Sequence, residues 1–131
     1  MEDLFKVEII SPSRINFTAD VKMVKIPSYE GDMSILKNHI SIITFLRPGI
    51  IKIEKDEKNE ENFFIQEGTV EYFNDSLVIL SSTAENIKNL SQEFIKTLSK
   101  DAEDKLLQKD ITDHDRYMLN HKIDALKEIR V

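Results

Sequence analysis

Pro27-Ser28-Tyr29-Glu30-Gly31-Asp32-Met33-Ser34-Ile35-Leu36-Lys37-Asn38-His39, running on through Thr44-Phe45-Leu46-Arg47-Pro48-Gly49-Ile50-Ile51-Lys52-Ile53, is the stretch that decides the fold class. It holds two of the three glycines and two of the three prolines, set between short apolar runs that alternate with polar residues. Proline cannot donate to a strand ladder and glycine turns where other residues strain, so breakers spaced this way mark the corners of a β-domain.

The same grammar extends on both sides. Val7/Ile9, Met23/Val24/Ile26, Ile40/Ile42/Ile43/Phe45, Ile51/Ile53, Phe63/Ile65, Val70/Tyr72 and Leu77-Val78-Ile79-Leu80 are short runs rich in branched residues, mostly of period two. Breakers separate them: Ser11-Pro12-Ser13, Pro27 to Asp32, Pro48-Gly49, the charged run Lys55 to Asn62, Gly68, and Asn74-Asp75-Ser76. About eight to ten strands at near-regular spacing predict an antiparallel β-sandwich or flattened barrel over residues 1–85.

From Thr69 onward there is neither Gly nor Pro, and beyond Thr83 the period becomes helical. Leu90, Phe94, Leu98, Ala102 and Leu106, with Ile95 alongside, form one stripe. Ser91 is placed to cap that helix, with Leu90 and Ile95 as a hydrophobic staple, and Asp101 and Lys105 form an i,i+4 pair. Lys109-Asp110-Ile111-Thr112-Asp113 ends it and caps a second helix with Leu119, Ile123, Leu126 and Ile129 as its stripe. Residues 88–131 are therefore expected to form an antiparallel helical hairpin. Its stripes can zip against each other, leaving little apolar surface to lock it elsewhere, so it is expected to be detachable.

At 131 residues the chain is one ordinary domain or a small domain with an appendage, able to bury roughly two-thirds of its unfolded surface without disulfides or metal. With no cysteine there is no thiolate nucleophile and no cysteine-ligated metal site. Residues 1–87 carry 9 Lys/Arg against 15 Asp/Glu, whereas residues 88–131 carry 9 of each, so the net charge of −6 resides in the front part. An acidic front argues against nucleic acid and anionic lipid as direct partners. The longest wholly apolar run, Leu77 to Leu80, falls far short of the roughly 20 residues that span a bilayer. The acidic start, Met1 to Lys6, resembles neither a signal nor a transit peptide, and a soluble cytoplasmic chain is expected.

No catalytic constellation converges, and no catalytic residue or metal ligand is assigned. His39, His114 and His121 are scattered. The last two, seven apart on one helix face, read either as a two-His metal site or, in preference, as solvated helix histidines. No serine sits in Gly-x-Ser-x-Gly, and three glycines cannot build a phosphate loop. Asp113 and Asp115 resemble the start of a calcium loop, but its glycine and closing Glu are missing; first-turn helix carboxylates explain them better.

The order of pieces resembles the epsilon subunit of bacterial and plastid F-type ATP synthase, the counterpart of the mitochondrial delta subunit. Carrying it are Val7-Glu8-Ile9-Ile10-Ser11-Pro12, Val24-Lys25-Ile26-Pro27, Glu30 to His39, Leu46-Arg47-Pro48-Gly49-Ile50-Ile51-Lys52-Ile53, Gly68-Thr69-Val70-Glu71-Tyr72, Leu77 to Leu80, Ala84-Glu85, and the hairpin. The resemblance implies a non-catalytic rotor part with no cofactor. Its sandwich packs on the gamma subunit and stands on the c-ring, coupling proton-driven rotation to ATP synthesis at the cytoplasmic face of the bacterial inner membrane rather than in a plastid. The resemblance makes Glu30, Gly31, Asp32, Met33 and His39 the ring-facing loop. Glu30 and Asp32 are read as contacts, and His39 stays open between contact and turn residue. The hairpin, by the same resemblance, folds on the sandwich or extends to the alpha/beta catalytic head and impedes hydrolysis. In some members ATP holds it folded through Ile/Leu-Asp-x-x-Arg-Ala. Asp113 and Arg116 keep that spacing and are the candidate ATP contacts, while Thr112 and Tyr117 depart from the pattern. Glu67 likewise stands where many members have a second Gly before Gly68. A competing reading is a free-standing nucleotide-responsive regulator, motivated by Asp113 and Arg116 beside a detachable hairpin.

Overall fold

The period-two runs are strands, and their odd or even residues fill one core. The computed structural model describes residues 3–129, so the outermost parts of the two expected segments, 1–2 and 130–131, lie outside the described residues. The strands are β1 (Phe5–Ser11), β2 (Arg14–Val21), β3 (Met23–Ser28), β4 (Gly31–Leu36), β5 (Ile42–Leu46), β6 (Gly49–Glu54), β7 (Glu60–Ile65), β8 (Gly68–Phe73), β9 (Ser76–Leu80) and β10 (Glu85–Asn86). One turn of 3₁₀ helix, Ile87–Asn89, leads to the helices α1 (Gln92–Leu106) and α2 (Asp113–Glu128).

Hydrogen bonding links the strands in the order β10-β7-β6-β3-β5-β8-β9-β1-β2, with β4 also on β3. β3 is the crease: Met23 to Lys25 pair with β6, whereas Ser28 pairs with Leu46 of β5. The sheet closes over Val7, Ile9, Val24, Ile26, Ile35, Ile51, Ile53, Ile65, Val70, Tyr72, Leu77 and Ile79, all essentially inaccessible. This is the expected curled β-sandwich with a helical hairpin after it. One pairing departs from the antiparallel expectation: β1 runs parallel to β9, Val7 opposite Leu77 and Ile9 opposite Ile79. A run of alternating apolar residues specifies which face is buried but not the direction of the neighbour.

Two glycines in the decisive stretch have separate reasons. Gly31 follows the two-residue connection Tyr29-Glu30 and adopts φ +136°, a conformation unfavourable to side chains. At Gly49 a Cβ would lie 2.6 Å from the Pro27 Cβ, so β6 starts flush against β3 only because that side chain is missing. At the opposite corner Asn74 and Asp75 both take positive φ, 51° and 59°, joining β8 to β9 by the two-residue turn that suits a twisted hairpin. Glu67 has its own job. Its carboxylate accepts from the Ser82 N–H (3.0 Å) and Oγ–H (2.8 Å), and its carbonyl accepts from Ser81 Oγ–H, tying the β7–β8 turn to the chain after β9.

The helices begin as expected: Ser91 Oγ accepts from the Phe94 N–H and Thr112 Oγ from the Asp115 N–H. The Asp101–Lys105 pair is also present, at 3.1 Å. The α1 stripe is rotated from the expected one. Phe94 is 41 % exposed, while Ile95 and Leu98 join the buried cluster and Ala102 is fully buried. Residues four apart advance about 40° beyond a full turn, so a strict i+4 series spirals off one face, whereas Ile95-Leu98-Ala102 stays on it.

The hairpin is also better anchored than its stripes suggested. Ala125 and Leu126 of α2 and its C-cap Ile129, with Leu90, bury Phe64 of β7, and Ile50, Ile87, Ile95 and Leu98 pack around them. The expectation of little apolar surface for locking the hairpin elsewhere is therefore corrected. Phe64 is out of phase with the core pair Phe63/Ile65, and the helices cover this second face. Burying side chains of this size is worth roughly 1.5–3 kcal/mol each, enough to hold the hairpin down.

Candidate functional site

The segment Glu30 to His39 is not one loop. Glu30 sits in the β3–β4 turn, Gly31 to Leu36 form β4, and His39 lies in the turn after it, the ends of β4 being roughly 16 Å apart. Glu30 is exposed, and its N–H donates to Ser28 Oγ (3.1 Å). Met33 packs partly against the core. Asp32 lies beside Glu30 and is engaged within the chain: its Oδ1 accepts from Arg47 Nη2 at 3.0 Å, with Lys25 Nζ at 3.9 Å.

His39 belongs to the other end. Its Nδ1–H donates to the Ile40 carbonyl (2.7 Å), and its ring meets Tyr72 edge-on. Beside it, Asp75 Oδ1 accepts from the Asn38 N–H (2.9 Å) and the Tyr72 hydroxyl (2.8 Å). Those two donors hold the Asp75 carboxyl below the ordinary range, and burial, reinforced by Asp75, pushes the Tyr72 hydroxyl up to about 12. The histidine helps pin a corner of the sandwich.

Around the β3–β4 turn the structure assembles side chains that the sequence left apart. Tyr29 stacks on His114 (ring planes 6° apart) and on Tyr117 (22°), and its hydroxyl lies 2.7 Å from His114 Nδ1. The Tyr117 hydroxyl donates to the Tyr29 carbonyl at 2.8 Å, and the Tyr117 ring meets His121 edge-on at 4.4 Å. Arg47 joins Asp32 on one side to His121 on the other, with Nη1 3.2 Å from His121 Nδ1. Lys52 and Glu128 close the row at 3.7 Å. Between sandwich and α2 lies a cleft of about 270 Å³ lined by these charges together with Lys25, Asp124 and Gly49.

His114 stays exposed, as expected of a solvated helix histidine, although its ring stacks on Tyr29, whereas His121 is half-buried against Arg47. They face the sandwich, and the signal was the i, i+3, i+7 spacing of His114, Tyr117 and His121. Among the described residues no cluster of three or more potential metal-binding groups occurs. Burial, then Arg47, depresses the His121 pKa against the opposing pull of Asp124 and Asp32.

Asp113 and Arg116 do come together, at 3.0 Å, but with each other: an i,i+3 ion pair in the first turn of α2, with the Asp113 side chain fully exposed. Neither residue lines the cleft. Among the described residues no helix is long and apolar enough to cross a membrane.

A second surface is a mixed apolar row on the outer face of the sheet, with Glu71 and Glu8 in the row beside it. Ile43 and Phe45 of β5 point outward and are 77 % and 65 % exposed. The strand register aligns Phe45 with Thr69, Thr69 with Leu80, Leu80 with Ile10 and Ile10 with Ile15, giving an outward apolar band across β5, β8, β9, β1 and β2. Bands of this kind on a soluble protein mark interaction sites.

Comparison with known proteins agrees with this architecture. Residues 4–87 match the family described as ATP synthase, Delta/Epsilon chain, beta-sandwich domain. The chain is 42% identical over 130 residues to the ATP synthase epsilon chain of Pelagibacter ubique, covering 98% of this chain and 99% of that one. It is 31% identical over 134 residues to the epsilon chain of Parvibaculum lavamentivorans, with coverage of 99% and 98%. In fold it resembles a chain of the Euglena gracilis mitochondrial ATP synthase OSCP/F1/c-ring structure (TM-score 0.76, 16% identity, 97% of this chain and 79% of that one). It also resembles a chain of the Tetrahymena thermophila mitochondrial ATP synthase central stalk/c-ring structure (TM-score 0.65, 15% identity, 94% and 93%). With a family match over more than half its length and a relative this similar from end to end, the chain belongs to the delta/epsilon chain family of ATP synthase.

Proposed function

We propose that the chain is a non-catalytic central-stalk subunit of a proton-translocating F-type ATP synthase, coupling c-ring rotation to ATP synthesis from the cytoplasmic face of the bacterial inner membrane. Family membership supports the assignment, and the apolar band through Phe45, Leu80, Ile10 and Ile15 carries the docking part of it. A sheet face with two large apolar residues more than half exposed is costly in a free protein and useful in an assembled one. The gamma subunit is the partner assigned to this band. Glu30, exposed beside Gly31 and Asp32, is the residue assigned to the polar loops of the ring. The hairpin, when released towards the alpha/beta head, is the part that impedes hydrolysis.

The free-standing nucleotide-responsive regulator has no comparable support. Asp113 and Arg116 satisfy each other at the surface, as a first-turn acid and its i+3 partner do in helices without a ligand.

The deciding experiment is co-purification with gamma. The unaltered chain is expected to form a stable complex, and the double substitution Phe45→Glu, Leu80→Glu to abolish it while leaving the far-ultraviolet circular dichroism unchanged. A doubly substituted chain that still binds would remove the band from the interface. An unaltered chain that fails to bind would remove the subunit assignment.

A further inference from the structure

We propose that docking of the helical hairpin on the sandwich is a proton-sensitive latch, loosened when His121 takes up a proton beside Arg47. The argument begins with donors and acceptors. A guanidinium only donates, so the 3.2 Å approach of Arg47 Nη1 to His121 Nδ1 requires a lone pair on Nδ1 and places the imidazole proton on Nε2. Protonation removes that lone pair and sets two cations face to face. Arg47 cannot simply turn away, because its other nitrogen is held by Asp32 at 3.0 Å and its side chain is only 15 % exposed.

Every element packed against the site contributes charge. Lys25 comes from β3, Asp32 from β4, Arg47 from the β5–β6 turn and Lys52 from β6, while α2 supplies Asp124 and Glu128; no α1 residue lines the cleft. Asp124 and Asp32 favour the protonated imidazole, but burial and Arg47 outweigh them and hold the His121 pKa below its ordinary 6.5 in the docked state. Released into water, the same imidazole returns to about 6.5. Docking is thus fully supported above the released-state value and loses support as pH falls below it, because the released hairpin binds the proton more tightly. His114 does not share this role: a tyrosine hydroxyl either donates to a neutral imidazole or accepts from a protonated one, so its contact with Tyr29 survives either state.

The latch biases the hairpin rather than expelling it, since Phe64, Leu126 and Ile129 still favour docking. It stands apart from the gamma contact proposed above, but through Asp32 it adjoins the turn that carries Glu30.

Amide hydrogen exchange on the full chain tests it. Corrected for intrinsic rates, the opening equilibrium of Ile123 to Leu126 should rise as pH falls from 7.5 to 5.5, with a slope approaching but not exceeding about tenfold per pH unit, the signature of one proton. Leu77 and Ile79 in β9 should not follow. His121→Gln should flatten the α2 slope, and His114→Gln should keep it. A flat unaltered chain, an unchanged slope in His121→Gln, or α2 and β9 opening together would each overturn the proposal. Titration of the His121 ring protons needs no variant: an inflection below 6.5 is expected, and one at or above it would also overturn the latch.

Discussion

Strands β7 and β5 both carry apolar side chains on both faces, and the molecule treats them differently. In β7, Phe63 and Ile65 enter the core while Phe64, on the other face, lies beneath Leu126 and Ile129 and is 1 % exposed. In β5, Leu46 enters the core while Ile43 and Phe45 face water. The same pattern in sequence therefore reports two kinds of surface, one closed by the chain's own hairpin and one open to water. A second apolar face on a half-exposed sheet says that something covers it, and only the tertiary structure says whether that cover is internal.

The contrast breaks most visibly at Phe64. Phe64→Ala should cost about 3–5 kcal/mol in urea unfolding, because it empties a site closed on both sides. The hairpin should lose exchange protection along with it. A cost under about 1 kcal/mol would place Phe64 on a surface no better covered than β5.

A smaller effect is expected from the polar part of the cover. Tyr117→Phe removes the hydroxyl that donates to the Tyr29 carbonyl and should weaken hairpin docking by about 1 kcal/mol, read as faster exchange in α2 with β9 unchanged. Equal protection in both proteins would assign the docking wholly to the Phe64 cluster.

Least of all should happen on the open face. Ile43→Ser in the isolated chain should change stability by no more than about 0.5 kcal/mol in a thermal melt. A substantially larger loss would mean that this face is already covered in the free protein.

The same pair of strands shows how far the sequence could be read. Breakers and branched runs located seven of the ten strands, missing β2, β4 and the two-residue β10, and Ser91 and Thr112 announced their helices, because turns and caps are local chemistry. Phe94 was misplaced for want of the 40° drift that accumulates in an i+4 series. The role of Phe64 and the direction of β1 beside β9 depend on contacts between distant segments, which no local period encodes. The contact between turn and hairpin was half legible: His114 and His121 were visibly on one face, but Tyr29 and Arg47 stand 85 and 74 residues away from them, in turns whose partners only folding selects.

The parallel seating of β1 against β9 bears on how the chain is made. During synthesis the first strand has only β2 for company until some seventy further residues have left the ribosome. Closure must wait for a contact of long sequence separation, the kind that slows folding. α1 and α2 emerge later still, onto a β6–β7 surface already built, so a nascent sandwich passes through an interval in which Ile50 and Phe64 lie bare. The hairpin, made after the sandwich, is thus the part that shields Ile50 and Phe64 of the growing chain from its neighbours.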